Sequence, residues 1–312
     1  VPGYRLRENE RGRGDALRAT KTVTARITER EAGQVDRANS SGRTPVVFIH
    51  GLWALPNNWE RWVGPFEDAG YVVLTPGWPD DPETVRAARE QPEAFARKTI
   101  GDLADHFTEI TGRLERRPAL VGHSFGGMLT QILAGRGLAS VSVAISPAPF
   151  RGVVPMPFSL VRSVLPVLRN PVNRRRAVSL SYRQFRYSVS NTTDELEARE
   201  LWEAYEVPAG GRALFQAAFA NLNPWTEAKV NTRNPARGPL LLVSGGKDRF
   251  IPPAITKASY KRERRNDVVT EFVEIPGRGH SLTIDSGWRE VAEVALGFIR
   301  RFAPPSADEG AP

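Results

Sequence analysis

The sequence predicts an α/β fold: a mostly parallel central sheet flanked by helices and interrupted by a long helical insertion. Two observations predict it. Short apolar runs alternate with stretches of helical periodicity from Pro45 to Ile145, the pattern of a sheet with helices on both faces. The alternation then stops between Phe150 and Gly238 and resumes at Pro239, too long a gap for a structureless loop.

Taken in order, residues 1–44 form a polar extension rich in Arg, Glu and Gly, expected to be largely flexible, with one alternating patch at Thr22–Ile27 suited to an edge strand. The first buried-strand run is Pro45–Ile49, and it leads directly into His50-Gly51-Leu52-Trp53. Helical spacing through Trp59, Trp62 and Phe66 stops at Gly70, and Tyr71–Leu74 reads as the next strand. A helical pattern covers Ala94–Leu114. Strands follow at Pro118–Val121 and Val141–Ile145, with a helix between them from Met128.

Residues 150–238 contain only Pro-punctuated helical segments, around Leu160–Leu168, Asp194–Tyr205 and Ala213–Leu222, with many aromatics. The sheet resumes with Pro239–Val243 and Val268–Ile275, separated by a helix near Pro253–Lys261. A last helix runs from Trp288 to Phe302. The core thus comprises residues 45–149 and 239–303, and residues 304–312 form a polar tail expected to be disordered.

Composition narrows the function classes. A chain of 312 residues, 40% apolar, can fill a large core. No apolar run reaches the roughly 20 residues of a membrane span, and no signal peptide is evident, so the expected location is cytoplasmic. The absence of cysteine excludes disulfides, thiolate metal ligands and a cysteine nucleophile. The net charge of +8 is scattered: ten Lys/Arg against six Asp/Glu in residues 1–44 supply half of it, with small clusters such as Arg174-Arg175-Arg176. No aromatic-interleaved basic stripe accompanies them, so no nucleic-acid partner is expected.

The chemistry is carried by Gly122-His123-Ser124-Phe125-Gly126-Gly127. It lies between a buried-strand run and a helical one, as a G-x-S-x-G elbow requires. Such an elbow holds its serine on a strained backbone with the hydroxyl exposed at the end of the strand. Ser124 is therefore the candidate nucleophile, and a serine needs a base.

The chain has four histidines. His106 lies in a helical run and reads as a packing or surface residue, His123 points away from Ser124, and His50 braces its loop. His280, on a Gly-flanked loop after the last strand, is the candidate base. Its partner is read as Asp248, which follows a strand and a Gly pair. Ser146-Pro147-Ala148-Pro149, after the preceding strand, offers no carboxylate, and Asp285 is placed as an N-cap of the final helix.

The order Ser124, Asp248, His280, together with His50-Gly51, Gly245-Gly246-Lys247-Asp248 and Gly279-His280, resembles the α/β-hydrolase family, specifically its lipase- and esterase-like members with a helical cap. The resemblance covers Pro45 to Phe302. It implies the α/β-hydrolase fold, a catalytic triad of those three residues, no cofactor, and an oxyanion hole from the backbone N–H groups of Leu52 and Phe125. It also implies that residues 150–238 form a cap that shapes the pocket, for which Trp53, His123, Phe150, Phe158 and Trp225 are candidates.

The function so implied is a serine hydrolase that cleaves a small-molecule carboxylic ester or lactone through an acyl-enzyme. Perhydrolysis of the haloperoxidase-like kind, C–C bond or amide hydrolysis, and a slow-turnover ligand receptor are alternatives on the same apparatus.

Overall fold

The computed structural model describes residues 27–306. Most of the expected edge strand at Thr22–Ile27 and most of the polar tail lie outside them. The strands are β1 (Pro45–Ile49), β2 (Val72–Leu74), β3 (Ala119–His123), β4 (Val141–Ile145), β5 (Ala177–Val178), β6 (Ala209–Gly210), β7 (Leu240–Gly245) and β8 (Thr270–Ile275). Six of them form one sheet in the order β2-β1-β3-β4-β7-β8, and every neighbouring pair is parallel.

The helices in chain order are α1 (Glu29–Ser41), α2 (Glu60–Asp68), α3 (Val85–Glu90), α4 (Ile100–Gly112), α5 (Phe125–Gly135), α6 (Phe158–Leu168), α7 (Tyr182–Ser188), α8 (Glu195–Tyr205), α9 (Gly211–Ala218), α10 (Pro253–Glu263) and α11 (Trp288–Phe302). Alternate strand residues face opposite layers, as the two-residue pleat dictates. Val47 and Ile49 pack with α1, α4 and α5, whereas Val46 and Phe48 pack with Trp59, with Trp62 and Phe66 of α2, and with Phe298 of α11. The strands read as continuous apolar runs because both faces are covered.

The strand order places the site. The chain runs outward from β1 to β2, then crosses back to β3 and continues the other way, so the switch point lies between the C-terminal ends of β1 and β3. Those ends carry His50-Gly51-Leu52 and Ser124.

Two parts of the structure differ from the sequence expectation. Residues 29–41 of the extension expected to be flexible form α1. Thr28 and Glu31 make a reciprocal capping box, and Gly42 ends the helix at φ 64°. Val35 and Ala38 are buried on α4, and Glu31 Oε1 lies 3.1 Å from His106 Nε2. Burial raises the Glu31 pKa, but hydrogen bonds from His106 and Thr28 outweigh it and hold the carboxyl below its ordinary value. His106 is thus the anchor of α1.

The insertion also carries a strand pair, β5 with β6, antiparallel and two residues long on each side. The other regular elements between β4 and β7 are helices. No helix among the described residues is long and apolar enough to cross a membrane.

Candidate active site

The elbow is built by close approach of backbones. Ser124 sits at φ 56° and ψ −118°, outside the regions open to most side chains, between β3 and α5. Its N–H donates to Ile145 O at 2.9 Å, and its carbonyl accepts from Met128 and Ala148 N–H at 3.2 and 2.9 Å. These bonds hold the strained residue in place. A Cβ on Gly122 would fall inside 3.0 Å of Gly126 O and of the Thr130 hydroxyl, and one on Gly126 would fall equally close to Ile49 O and His50 O. Gly122 therefore lets the strand meet its own helix, and Gly126 lets that helix meet the end of β1.

Gly245 does the same for the other two residues. A Cβ there would lie 2.7 Å from the carbonyls of Arg278 and Gly279, so its absence lets the loop after β8 close on the loop after β7. His280 Nδ1 consequently lies 2.7 Å from Asp248 Oδ2, and its Nε2 lies 2.9 Å from Ser124 Oγ.

The protonation pattern follows from the donors. Asp248 Oδ1 accepts from the N–H groups of Phe250 and Ile251, both at 2.8 Å, so the carboxylate is an acceptor on both oxygens. Nδ1 of His280 must then carry the hydrogen, which leaves the Nε2 lone pair facing the serine hydroxyl. The imidazole is packed between Phe250 and His123, with ring centroids at 5.0 and 4.7 Å.

His123 is buried, and its pKa is lowered well below 6.5 by burial first and by the neighbouring His280 second. It stays neutral, so it adds no positive charge beside the His280 ring. Its Nδ1 lies 3.4 Å from Thr283 Oγ1.

The loop after β1 approaches Ser124 just as closely. A Cβ on Gly51 would meet the Ser124 Cβ at 3.0 Å. His50 donates from Nδ1 to Gly51 O at 3.0 Å, stacks on Trp78 and faces Asp81, which is ion-paired with Lys98. His50 therefore braces the loop through Gly51, Trp78 and Asp81. Leu52 and Phe125 both line the cavity at Ser124, and Phe125, the first residue of α5, has an N–H with no acceptor inside its helix.

Two chambers meet at Ser124. The larger, about 330 Å³, is bounded by Leu52, Trp53, Phe125 and Phe150 below and by α6 and α9 above, and no charged residue lines it. Its Trp53 donates from Nε1 to Val178 O at 2.8 Å, which ties the loop after β1 to the insertion. The smaller, about 30 Å³, shares Ser124 with it and is lined by His280, His123, Asn58 and Tyr205. It has room for a water, and Asn58 Oδ1 has no protein partner there among the described residues.

Trp53 and Phe150 thus line the large chamber and His123 the small one. Phe158 and Trp225 do not line either. They are 77% and 87% exposed: Phe158 is the first residue of α6, and Trp225 sits on a turn beyond α9. Sequence reasoning missed the apolar face of α6, Leu160, Val164 and Leu168, whose four-residue spacing was the available signal. It also placed Asp285 as a cap, but Gly287 caps α11 and Asp285 is buried, accepting from Ser281 Oγ at 2.8 Å. Among the described residues, no group of three or more acidic or histidine side chains is arranged to hold a metal ion.

Residues 46–294 match the family model described as alpha/beta hydrolase family. The chain belongs to that family. A sequence comparison with curated proteins gives no match. Among solved structures, this hydrolase is similar to the monoacylglycerol lipase of Paleococcus ferrophilus at 18% identity, with 82% of this chain and 97% of that one covered and a TM-score of 0.56. It is also similar to an extracellular alpha/beta-hydrolase from a Paenibacillus species, at 17% identity, 81% and 98% coverage and a TM-score of 0.58. A pyrethroid hydrolase from Sphingobium faniae JZ-2 follows at 16%, 82% and 96%, with a TM-score of 0.56. At these identities the likeness is one of fold.

Proposed function

We propose that this hydrolase cleaves carboxylic esters of an apolar acyl group through an acyl-enzyme on Ser124. The observation that carries the reading is the His280 imidazole, placed at hydrogen-bond distance from Ser124 Oγ on one side and from Asp248 on the other. In the first step Ser124 Oγ bonds to the ester carbonyl carbon and its proton passes to His280 Nε2. The oxyanion accepts from the N–H groups of Leu52 and Phe125, which stabilise it more than the neutral carbonyl. His280 then gives the proton to the alcohol oxygen as the C–O bond breaks. Water, deprotonated by the same imidazole, reverses the sequence and frees the acid.

The two chambers support an assignment of the two halves of the ester. The leaving alcohol must be within reach of His280 Nε2 to take its proton, and His280 borders only the small chamber. The acyl chain belongs in the large one, which Leu52, Phe125 and Ser124 border and which offers uncharged walls. A long apolar acyl group is the half of the substrate this arrangement selects. Residues 150–238 act as the cap that encloses it.

Stopped-flow hydrolysis of p-nitrophenyl esters tests the reading. A burst of p-nitrophenol stoichiometric with enzyme, absent from Ser124→Ala, is expected. Equal turnover by the two proteins would refute it.

A further inference from the structure

We infer that the mouth of the large chamber docks on an anionic lipid surface, from which the acyl substrate enters. The inference rests on the ester-hydrolase reading for its purpose but on separate residues for its evidence. Val154, Met156, Leu165, Phe219 and Leu222 line the chamber and are nonetheless exposed, Leu222 by 80%. A chamber with its own lining turned to solvent leaves an apolar rim without a partner.

The rim is continuous across two segments of the insertion. Asn221 accepts from Gly152 N–H at 2.6 Å and donates to Val153 O at 2.9 Å, and the Arg151 guanidinium donates to Pro224 O at 3.2 Å. These bonds hold residues 151–153 against Asn221 and Pro224, and Val154, Met156 and Leu222 line the same chamber. Phe158, two residues beyond Met156, extends the rim. The two aromatics that do not line the chamber, Phe158 and Trp225, are exposed and lie within three residues of Met156 and Leu222 in the chain, and they are assigned to the same apolar border.

Charge identifies the occupant. From Phe150 to Thr193, the stretch containing α6 and α7, the sequence has eight arginines and no Asp or Glu. Arg162, Arg169, Arg174, Arg175 and Arg176 are exposed, and none has an acidic partner among the described residues. Six of the seven acidic residues of the insertion are gathered instead from Asp194 to Glu206, with one arginine between. Asp194, Glu197 and Glu200 of that group line a separate cleft that shares no residue with the chamber. On α6, Arg162 follows Phe158 by four residues and Arg169, its C-cap, follows Leu165 by four, so these arginines share the face of the exposed apolar residues. An apolar rim beside arginines is the combination that binds a lipid interface, apolar side chains entering the acyl boundary while the guanidinium groups meet anionic headgroups. A second copy of this chain would bring the same arginines against themselves.

The test is co-sedimentation of the full chain with phosphatidylcholine vesicles, with and without phosphatidylglycerol. It uses wild type, Phe158→Ser/Trp225→Ser and Arg174→Gln/Arg175→Gln/Arg176→Gln, alongside hydrolysis of a water-soluble short-chain ester. Wild type is expected to bind the anionic vesicles and to release them in high salt. Each multiple variant is expected to bind roughly tenfold or more weakly, with hydrolysis of the soluble ester unchanged.

Three results would overturn the proposal: wild type that ignores anionic vesicles, variants that bind like wild type, or binding that is lost only on removal of residues 1–26. Wild type that is dimeric, and made monomeric by Phe158→Ser/Trp225→Ser, would assign the rim to a second copy and overturn it as well. Vesicle binding without hydrolysis of any ester would leave the docking intact and defeat the ester reading, so the two fail separately.

Discussion

Asp248 holds His280 from 32 positions away in sequence: its Oδ2 lies 2.7 Å from Nδ1, while its Oδ1 is fixed by the N–H groups of Phe250 and Ile251. The carboxylate is thereby oriented before substrate arrives, and it sets the hydrogen of the imidazole on the side away from Ser124. Asp248→Asn keeps the shape and offers an amide donor in place of an acceptor, which favours the wrong tautomer. Turnover is expected to fall by roughly 10³–10⁴-fold with an unaltered circular dichroism spectrum, as steady-state kinetics would read.

Two glycines in helices should answer oppositely to alanine. Gly126→Ala puts a Cβ inside 3.0 Å of the Ile49 and His50 carbonyls, both backbone atoms that cannot swing away. A loss of about 2–3 kcal/mol is expected from the forced shift, with activity reduced because the shift moves the Leu52 loop. Gly33→Ala in α1 meets nothing within 4 Å and should gain about 1 kcal/mol from helix propensity. Urea unfolding of the two variants checks both signs.

Strands and elbow were legible because their signals are local. A buried parallel strand is an apolar run, and Gly122-His123-Ser124-Phe125-Gly126 carries its own turn and close-packing requirements. His280 and Asp248 could be found by following strand ends to one sheet edge. What was not legible depends on partners. Nothing local distinguishes Phe150, buried against the chamber, from Phe158, exposed on its rim, since each takes its environment from how the insertion packs. The α1 helix was missed because its only apolar side chains on the core are Val35 and Ala38. The Thr28-Glu29-Arg30-Glu31 capping box and Gly42 were the signals for it.

The large chamber predicts a dependence on acyl length. For p-nitrophenyl esters, each added methylene that reaches the α6 face should raise kcat/KM by about 0.8 kcal/mol, roughly fourfold, until the chamber is filled. Val164→Phe narrows the chamber from its α6 wall and is expected to reverse the preference among the longer esters while sparing acetate. A length profile of wild type and variant would measure it.

His123 predicts a pH dependence of stability. Its pKa in the folded protein lies well below 6.5, so once pH falls past 6.5 the unfolded chain binds a proton that the folded chain does not. Stability attributable to neutral His123 is therefore full above 6.5 and lost as pH falls. The stability of wild type relative to His123→Asn should drop by about 1.4 kcal/mol per pH unit below 6.5 until the folded pKa is reached. Urea titrations at several pH values give that difference, and a flat profile would show that His123 is not buried neutral.

The central claim is that Ser124 is the nucleophile, and covalent labelling tests it most directly. A fluorophosphonate probe should add one equivalent of mass to the wild-type chain, map by peptide mass spectrometry to Ser124, and leave Ser124→Ala unmodified. Stoichiometric labelling that persists in Ser124→Ala, or that maps to another serine, would contradict the account.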